Sequence, residues 1–183
     1  MHAASSRSHT PAWTANSGRL APETSAQREA VEHIDPARNY VGGTLDFYRF
    51  FIRTLVQYRT INGKTELVPD VASDLGTTKD LGKTWVFQLR QGLKYEDGTA
   101  VTCADLKYGA SRSFATDVLT DGPAYFVNAL DIPTLADGSS AYKGPYKKTG
   151  QALFDKAVTC SGNTITYNLK YSMADFNYFM SYP

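Results

Sequence analysis

Alternating hydrophobic and polar positions around residue 85 predict a β-strand. Trp85, Phe87 and Leu89 fall on one face at a period of two, while Thr84 and Gln88 fall on the other. This alternation is typical of a strand that covers a core with one side. We therefore expect Trp85 to be a buried core residue.

A second alternating stretch begins at Asn163. Ile165, Tyr167 and Leu169 share the inward face of a predicted strand. We expect this strand to pair with the Trp85 strand, because cross-strand contacts between such side chains stabilise a sheet.

The stretch after residue 101 has the pattern of a short amphipathic helix. Thr102 and Asp105 have the spacing of a capping box, in which the two side chains bond backbone N–H groups at the helix start. Leu106, Ala110 and Phe114 then recur every four residues along one helical face. The sequence predicts a helix that begins just after Thr102.

An earlier stretch has the strongest helical pattern in the chain. In the segment TLDFYRFFIRTLVQY, which runs from residue 44 to residue 58, Leu45, Tyr48, Ile52 and Leu55 share one face. Thr44 is placed to cap the first turn. We expect one amphipathic helix here.

Turns are predicted where residues that tolerate unusual backbone angles occur. Asn62-Gly63 and Asp97-Gly98 both favour tight reversals of the chain. Pro69 and Pro133 are typical of loops, and residues 137–150 have the composition of a long surface loop. Together with the helices and strands, these turns predict an α+β fold, a mixed sheet with flanking helices and no internal repeat.

Length and composition narrow the classes of function. A chain of 183 residues suits one folded unit, and 19 Lys and Arg against 18 Asp and Glu do not indicate a nucleic-acid partner. No run of eighteen apolar residues occurs, so no membrane span is predicted. Residues 1–28 are rich in Ser, Ala and Thr without any period, so we expect them to be disordered, and no secretory signal is visible in them.

The sequence contains no pattern that indicates catalysis. Its histidines, His2, His9 and His33, form no metal-binding cluster, and no Gly-x-Ser-x-Gly motif is present. The glycines match neither a phosphate-binding loop nor a dinucleotide fingerprint. We therefore expect no catalytic residues, no metal and no cofactor.

The two cysteines, Cys103 and Cys160, are too few for a zinc site, and neither has a nearby histidine that could act as a base. From the residues alone, they form either a disulfide or two buried reduced thiols. A disulfide would place the protein in an oxidising compartment.

Four segments carry a resemblance to a known family: EHIDPARNYVGG, LVPDVAS, GKTWVFQLRQGLKYEDGTAVTCADLKYGASRSF and FNYFMSYP. The specific signature lies in two of them, from Leu67 to Ser73 and from Thr84 to Asp105. The chain resembles the N-terminal lobe of the family 5 extracellular solute-binding proteins of ABC transporters, the oligopeptide, dipeptide and nickel-binding group. The resemblance implies that residues 29–183 form part of lobe I of a periplasmic-binding-protein-like type II fold, and that residues 1–28 lie outside the family pattern.

The resemblance also implies a function. Members of this family, many of them lipoproteins, bind solutes outside the cell and deliver them to ABC permease subunits, and they perform no chemistry. The chain is therefore expected to be a truncated substrate-binding component that takes peptides or similar small solutes on the extracellular or periplasmic side of the membrane. Because exported proteins meet an oxidising environment, the family favours the Cys103–Cys160 disulfide.

Two groups of residues correspond to the family's ligand cleft. One is the loop after the Asp-Pro pair, and the other is an aromatic pair beyond the Thr102 helix. The expected ligand-binding residues are Asn39, Tyr40, Val41, Gly42, Gly43, Tyr125 and Phe126. The alternatives are a glycine loop that merely leads into a helix, and aromatic residues that only pack in the core.

Family members close two lobes around the ligand, whereas this chain corresponds to part of the first lobe. We therefore expect weak peptide binding and an exposed lobe face that favours self-association. Two other classes of function remain at this point. One is a secreted carbohydrate-binding module that stacks sugars on Trp85, Tyr95 or Tyr108, which the alternation around Trp85 disfavours, and the other is an enzyme.

Overall fold

Short helices and strands alternate along residues 33–182, the part of the chain that the computed structural model describes. The helices are α1 (Gly42–Tyr48), α2 (Cys103–Arg112), α3 (Tyr125–Ala129), α4 (Gln151–Ala157) and α5 (Phe176–Phe179), and a 3-10 turn (Pro36–Arg38) precedes them. The strands are β1 (Val56–Ile61), β2 (Lys64–Pro69), β3 (Thr84–Gln88), β4 (Val158–Ser161) and β5 (Thr164–Asn168). The expected disorder of residues 1–28 concerns a segment outside the described residues.

The strands form two antiparallel sheets, the hairpin β1–β2 and a three-stranded sheet in the order β3–β5–β4. In the larger sheet Trp85 lies opposite Tyr167, which confirms the predicted pairing of the two alternating strands. The α+β class is confirmed, but the expected mixed sheet is replaced by antiparallel ones. The pairs β1–β2 and β4–β5 are hairpins, whose two-residue connections join only antiparallel neighbours, and β3 also pairs antiparallel with β5.

The core lies on the inward face of the three-stranded sheet. Trp85 is 5% exposed and Phe87 is fully buried, so the prediction that Trp85 is a core residue is confirmed. The indole Nε1 of Trp85 donates a hydrogen bond to the carbonyl oxygen of Met173 at 3.0 Å. The one polar group of this buried ring is therefore satisfied, as burial requires.

The predicted turn and helix after β3 are both present. Gly98 has a φ of +85°, and its N–H donates to the carbonyl of Tyr95 at 3.0 Å. Thr102 and Asp105 form the capping box at the start of α2. The helix ends at Arg112, so Phe114 is buried in the core from a position just beyond it.

The long helix expected over residues 44–58 is wrong. Helix α1 ends at Tyr48, and Val56–Ile61 is strand β1, which pairs along its whole length with β2. The Asn62-Gly63 turn explains the difference, because both residues have positive φ and form the tight reversal that a two-residue hairpin requires. Thr44 is also not the cap. The helix begins at Gly42, so Thr44 is its third residue, and the Thr44 side chain is buried.

Two loop predictions are modified by the structure. Pro69 is the last residue of β2 and lies opposite Val56, a position that the edge of a small sheet tolerates. Residues 137–150 contain no helix or strand, as expected, but they are not entirely on the surface. Tyr142 is fully buried and stacks on Phe154, with ring centroids 4.7 Å apart.

A disulfide joins Cys103, the first residue of α2, to Cys160 in β4, with the two Cα atoms 5.9 Å apart. The predicted disulfide is therefore confirmed, and the alternative of two reduced thiols is not. The bond fixes the start of α2 against the three-stranded sheet.

Arg90, the arginine of the Thr84–Asp105 motif, makes hydrogen bonds that hold the backbone. Its Nε donates to the carbonyl oxygen of Asp70 at 2.7 Å and to that of Ala72 at 3.2 Å. The Asp70 carboxylate, in turn, accepts from Nη2 of Arg53 at 2.6 Å. These bonds tie the end of β2 to the segment after β3, so this part of the motif is structural scaffold.

Candidate functional site

Four aromatic side chains from three parts of the chain meet at one surface, which we call the aromatic wall. They are Tyr40, Tyr125, Phe179 and Tyr182. Tyr125 is at the centre, with its ring centroid 5.6 Å from that of Tyr40, 4.8 Å from that of Phe179 and 5.2 Å from that of Tyr182. Tyr40 is 46% exposed and Tyr182 is 39% exposed, so the wall presents rings to solvent.

The wall is held by the elements on either side of it. Tyr40 lies between the 3-10 turn and α1, and Tyr125 is the first residue of α3. Phe179 ends α5, and Tyr182 follows it. Burial first, and the neighbouring Tyr182 second, raise the pKa of Tyr40, so its hydroxyl is neutral at physiological pH.

Asn39 determines the course of the loop that carries Tyr40. It is 5% exposed, its Oδ1 accepts from the N–H of Val41 at 3.0 Å, and its Nδ2 donates to Oγ1 of Thr44 at 3.4 Å. Asn39 therefore supports the loop from inside, and its contact with a ligand stays a prediction.

The other predicted loop residues lie at the surface. Val41 is half-buried and immediately precedes α1, and Gly42 and Gly43 form the exposed first turn of that helix. A Cβ placed on either glycine would have no neighbour within 4 Å. The space beside this backbone is open, so another molecule could approach it closely.

The two residues of the predicted aromatic pair, Tyr125 and Phe126, lie in different surroundings. Tyr125 belongs to the aromatic wall, while Phe126 stacks on the buried ring of Tyr167, with centroids 5.7 Å apart and an interplanar angle of 19°. The Phe126 side chain is partly buried against the core. Packing against the core thus describes Phe126, while a ligand-binding role for Tyr125 stays a prediction.

A cavity of about 240 Å³ lies beneath the aromatic wall. It is bounded by the 3-10 turn, by α2, by the start of α3 and by the end of α5. Leu55, Leu106, Ala110 and Met180 give it apolar surface, and Tyr125 belongs to both the cavity and the wall. The wall and the cavity are therefore one continuous site.

An ion pair stands at the edge of the cavity. Arg112 binds the Asp35 carboxylate through both of its terminal nitrogens, and its Nε donates to the hydroxyl of Tyr146 at 3.2 Å. Burial alone would raise the pKa of Asp35, but the hydrogen bonds from Arg112 and from the N–H of Ala37 outweigh it and hold this pKa below its ordinary value of 3.8. The same bond raises the pKa of Arg112.

Sequence reasoning did not identify Tyr182, Phe179, Arg112 or Asp35 as parts of this site. Asp35 precedes a proline and acts as the cap of the 3-10 turn, accepting from the N–H of Ala37 at 3.1 Å. Phe179 and Tyr182 lie in the segment FNYFMSYP, which belongs to the family pattern and is rich in aromatic residues, but nothing in it assigns them to a ligand site. No periodicity connects these residues with Tyr40 or Tyr125.

The structure offers little support for other kinds of site. Within residues 33–182, no helix is long and apolar enough to cross a membrane, and no three His, Cys, Asp or Glu side chains are grouped to hold a metal. Trp85 is buried and so presents no stacking surface to a sugar, although Tyr95 and Tyr108 are exposed.

Comparison with known proteins gives consistent results. Residues 66–183 match the family model described as bacterial extracellular solute-binding proteins, family 5 Middle. Among solved structures, the clavulanic acid biosynthesis oligopeptide binding protein 2 is 36% identical, with a TM-score of 0.72 over 84% of this chain and 27% of its own. A search of curated proteins returned no match.

More distant structures share the fold. The Escherichia coli murein tripeptide binding protein MppA is 24% identical, with a TM-score of 0.59 over 81% of this chain and 27% of its own. OppA of Burkholderia pseudomallei is 19% identical, with a TM-score of 0.62 over 82% of this chain and 27% of its own. The chain thus spans about a quarter of the length of each of these three structures.

Proposed function

The chain belongs to the bacterial extracellular solute-binding proteins of family 5, and we propose that it is part of the solute-binding lobe of an ABC importer for peptides or similar small solutes. Proteins of this family bind solutes and are not enzymes, which agrees with the expectation from the sequence. The whole importer's activity is proposed by analogy, because the chain covers 27% of the matched relative.

The aromatic wall is the observation that carries this proposal. Soluble proteins seldom leave several large rings clustered at the surface unless the cluster binds something. Here Tyr40, Tyr125 and Tyr182 provide flat apolar faces with hydroxyl groups at their ends, a combination suited to a partly polar solute. The open backbone at Gly42 and Gly43 adds peptide groups that a solute can approach.

The peptide class is supported by the most similar of the structures described above, which is named as an oligopeptide binding protein. Residues Tyr40, Val41, Gly42, Gly43 and Tyr125 are proposed to contact the solute, with Asn39 and Phe126 supporting them from inside. Delivery to a permease subunit and a location on the extracellular side of the membrane follow from the same proposal.

The exposed rings also give a physical reason for self-association. In a chain studied alone, an apolar face of this kind favours contact with a second copy. Sedimentation of the wild-type chain and of the double variant Tyr40→Ser/Tyr182→Ser tests this point. Concentration-dependent association in the wild type that the variant lacks is expected, and equal association in both contradicts it.

Binding of peptides is the direct test. The cavity of about 240 Å³ is smaller than the roughly 300–1,000 Å³ of pockets that enclose a ligand, so much of a bound peptide stays in water. We therefore expect a Kd weaker than about 100 μM, or roughly 5.5 kcal/mol. NMR titration with peptides of two to five residues measures binding in this range.

Variants locate the binding surface. Tyr40→Ala and Tyr182→Ala should weaken peptide binding, because each removes an exposed ring of the wall. Tyr95→Ala and Tyr108→Ala remove rings of similar exposure elsewhere and should leave binding unchanged. Absence of peptide-induced shifts, or equal loss in wall and control variants, contradicts the proposal.

A further inference from the structure

We propose that an exposed cluster of three phenylalanines at the end of α1 is covered by the chain's own N-terminal segment, and that Trp13 is the residue that docks there. The cluster consists of Phe47, Phe50 and Phe51, and we call it the phenylalanine patch. It shares no residue with the aromatic wall, so the inference does not depend on solute binding.

The phenylalanine patch is apolar, exposed and held in place by the backbone. Phe50 is 86% exposed, and the ring centroid of Phe47 lies 6.5 Å from that of Phe50 and 5.2 Å from that of Phe51. The N–H of Phe50 donates to the carbonyl oxygen of Phe47, and the N–H of Phe51 donates to that of Tyr48, both at 3.1 Å. The turn after α1 therefore presents three neighbouring rings, and an exposed apolar cluster of this kind marks an interaction site.

The first described residue lies close to this patch. The hydroxyl of Tyr48 donates to the carbonyl oxygen of His33 at 2.8 Å, and the ring centroid of Tyr48 is 6.0 Å from that of Phe51. One side chain thus contacts both the patch and His33. The 32 residues that precede His33 are therefore attached beside the patch.

Trp13 is the one Phe, Tyr or Trp among these 32 residues. Aromatic rings pack favourably on one another in edge-to-face or offset arrangements, so the indole is suited to a site made of phenyl rings. Twenty positions separate Trp13 from His33, and even a randomly coiled connection of that length has a root-mean-square span of about 25 Å. Trp13 can therefore reach the patch without full extension of the connection.

Attachment to the same chain favours this occupant over a separate molecule. A short tether raises the effective concentration of the attached group to roughly the millimolar range. A contact that is too weak to hold two separate molecules together is then still populated. Docking within one chain therefore needs only a small apolar contact.

The size of the patch disfavours a second copy as the occupant. Its three rings are 42, 86 and 50% exposed, which corresponds to roughly 350 Å² of surface when a whole aromatic side chain buries about 200 Å². A stable interface takes about 800 Å² from each partner. The patch is therefore too small for a stable dimer but large enough for one indole ring.

Quenching of tryptophan fluorescence by acrylamide, measured on the full chain, tests the inference. Trp85 is buried, so the quenched fraction reports on Trp13. We expect Phe47→Ser/Phe50→Ser to be quenched at least about twofold more strongly than the wild type, because the tethered indole loses its site. Tyr95→Ser/Tyr108→Ser removes exposed rings elsewhere and should be quenched as the wild type is.

Trp13→Ser provides a second measurement that leaves every described residue unchanged. In NMR spectra of the full chain it should shift the ring resonances of Phe47 and Phe50 but not those of Tyr95. The wild type should show nuclear Overhauser effects between the Trp13 indole and these two rings, and dilution should not weaken them relative to other signals.

Two results overturn the inference. Overhauser effects that occur only between differently labelled copies, and that vanish on dilution, would assign the patch to a second copy. Equal quenching of the wild type and Phe47→Ser/Phe50→Ser, with ring resonances unaffected by Trp13→Ser, would assign the patch to another partner. Neither result bears on the peptide titration, so the proposed function stands or fails separately.

Discussion

Arg112, the last residue of α2, binds both carboxylate oxygens of Asp35, which lies 77 positions earlier in the chain, with its Nη1 atom 3.0 Å from Oδ1. Two parallel charge-assisted bonds fix orientation as well as distance. The pair therefore anchors the segment leading to Tyr40 against the helix that borders the cavity.

Asp35→Asn is expected to reduce the dependence of stability on pH. Because the folded-state pKa of Asp35 lies below its ordinary value of 3.8, its contribution to stability is present above that value and is lost as the pH falls through the folded-state pKa. Urea midpoints at pH 7 and pH 3 should therefore differ more in the wild type than in Asp35→Asn. Asp46→Asn, which removes an exposed carboxylate 3.9 Å from Arg49, is the control and should behave as the wild type.

Reduction of the disulfide is expected to lower the free energy of unfolding by about 4 kcal/mol, the chain-entropy value for a loop of this length. Cys103 and Cys160 are separated by 57 positions, so the bond removes much freedom from the unfolded chain. Urea unfolding with and without reductant measures the effect, with Cys103→Ala/Cys160→Ala as the reference that reductant should not change. Two freely alkylated thiols in protein from an oxidising compartment would show that the bond does not form.

Trp85→Ala is expected to destabilise the protein by about 3–5 kcal/mol, the usual range for removing a large buried aromatic side chain. The substitution deletes core contacts with Phe87 and Phe176, and it also leaves the Met173 carbonyl without its indole donor. Tyr95→Ala at an exposed position should change stability by less than about 0.5 kcal/mol. An unchanged denaturant midpoint in Trp85→Ala would mean that Trp85 lies at the surface.

Asn39→Ala is expected to lower stability by about 1–3 kcal/mol, because it leaves the half-buried N–H of Val41 without its acceptor. The same change should weaken peptide binding by freeing the loop that carries Tyr40. Thr44→Ser keeps the hydroxyl that Asn39 contacts and should retain both properties. Peptide binding that is unaffected by Asn39→Ala would show that this loop needs no internal support.

Local patterns predicted the parts of the fold that local interactions determine. The Trp85 and Asn163 strands alternate because one face of each is buried, and the Thr102 capping box lies within four residues. The segment after Tyr48 was misread because its hydrophobic spacing also fits a helix. Its strand structure comes from pairing with β2, which depends on contacts along the hairpin.

The candidate site was only partly predictable for the same reason. Tyr40 and Tyr125 were identified through the family resemblance, while Tyr182 joins them only after the chain has folded. The role of Asn39 depended on its burial, which sequence alone does not reveal. Contacts between distant segments define this site, and no short-range pattern encodes them.

The Cys103–Cys160 bond also encloses the loop of residues 137–150, whose Lys147 and Lys148 are exposed. A trypsin cut after Lys148 would break the polypeptide without separating the two pieces, because the sulfur atoms still join them. The nicked protein would migrate as one species until a reducing agent is added. This loop is therefore a place where the backbone can be opened, or a reporter peptide inserted, while the molecule remains a single covalent body.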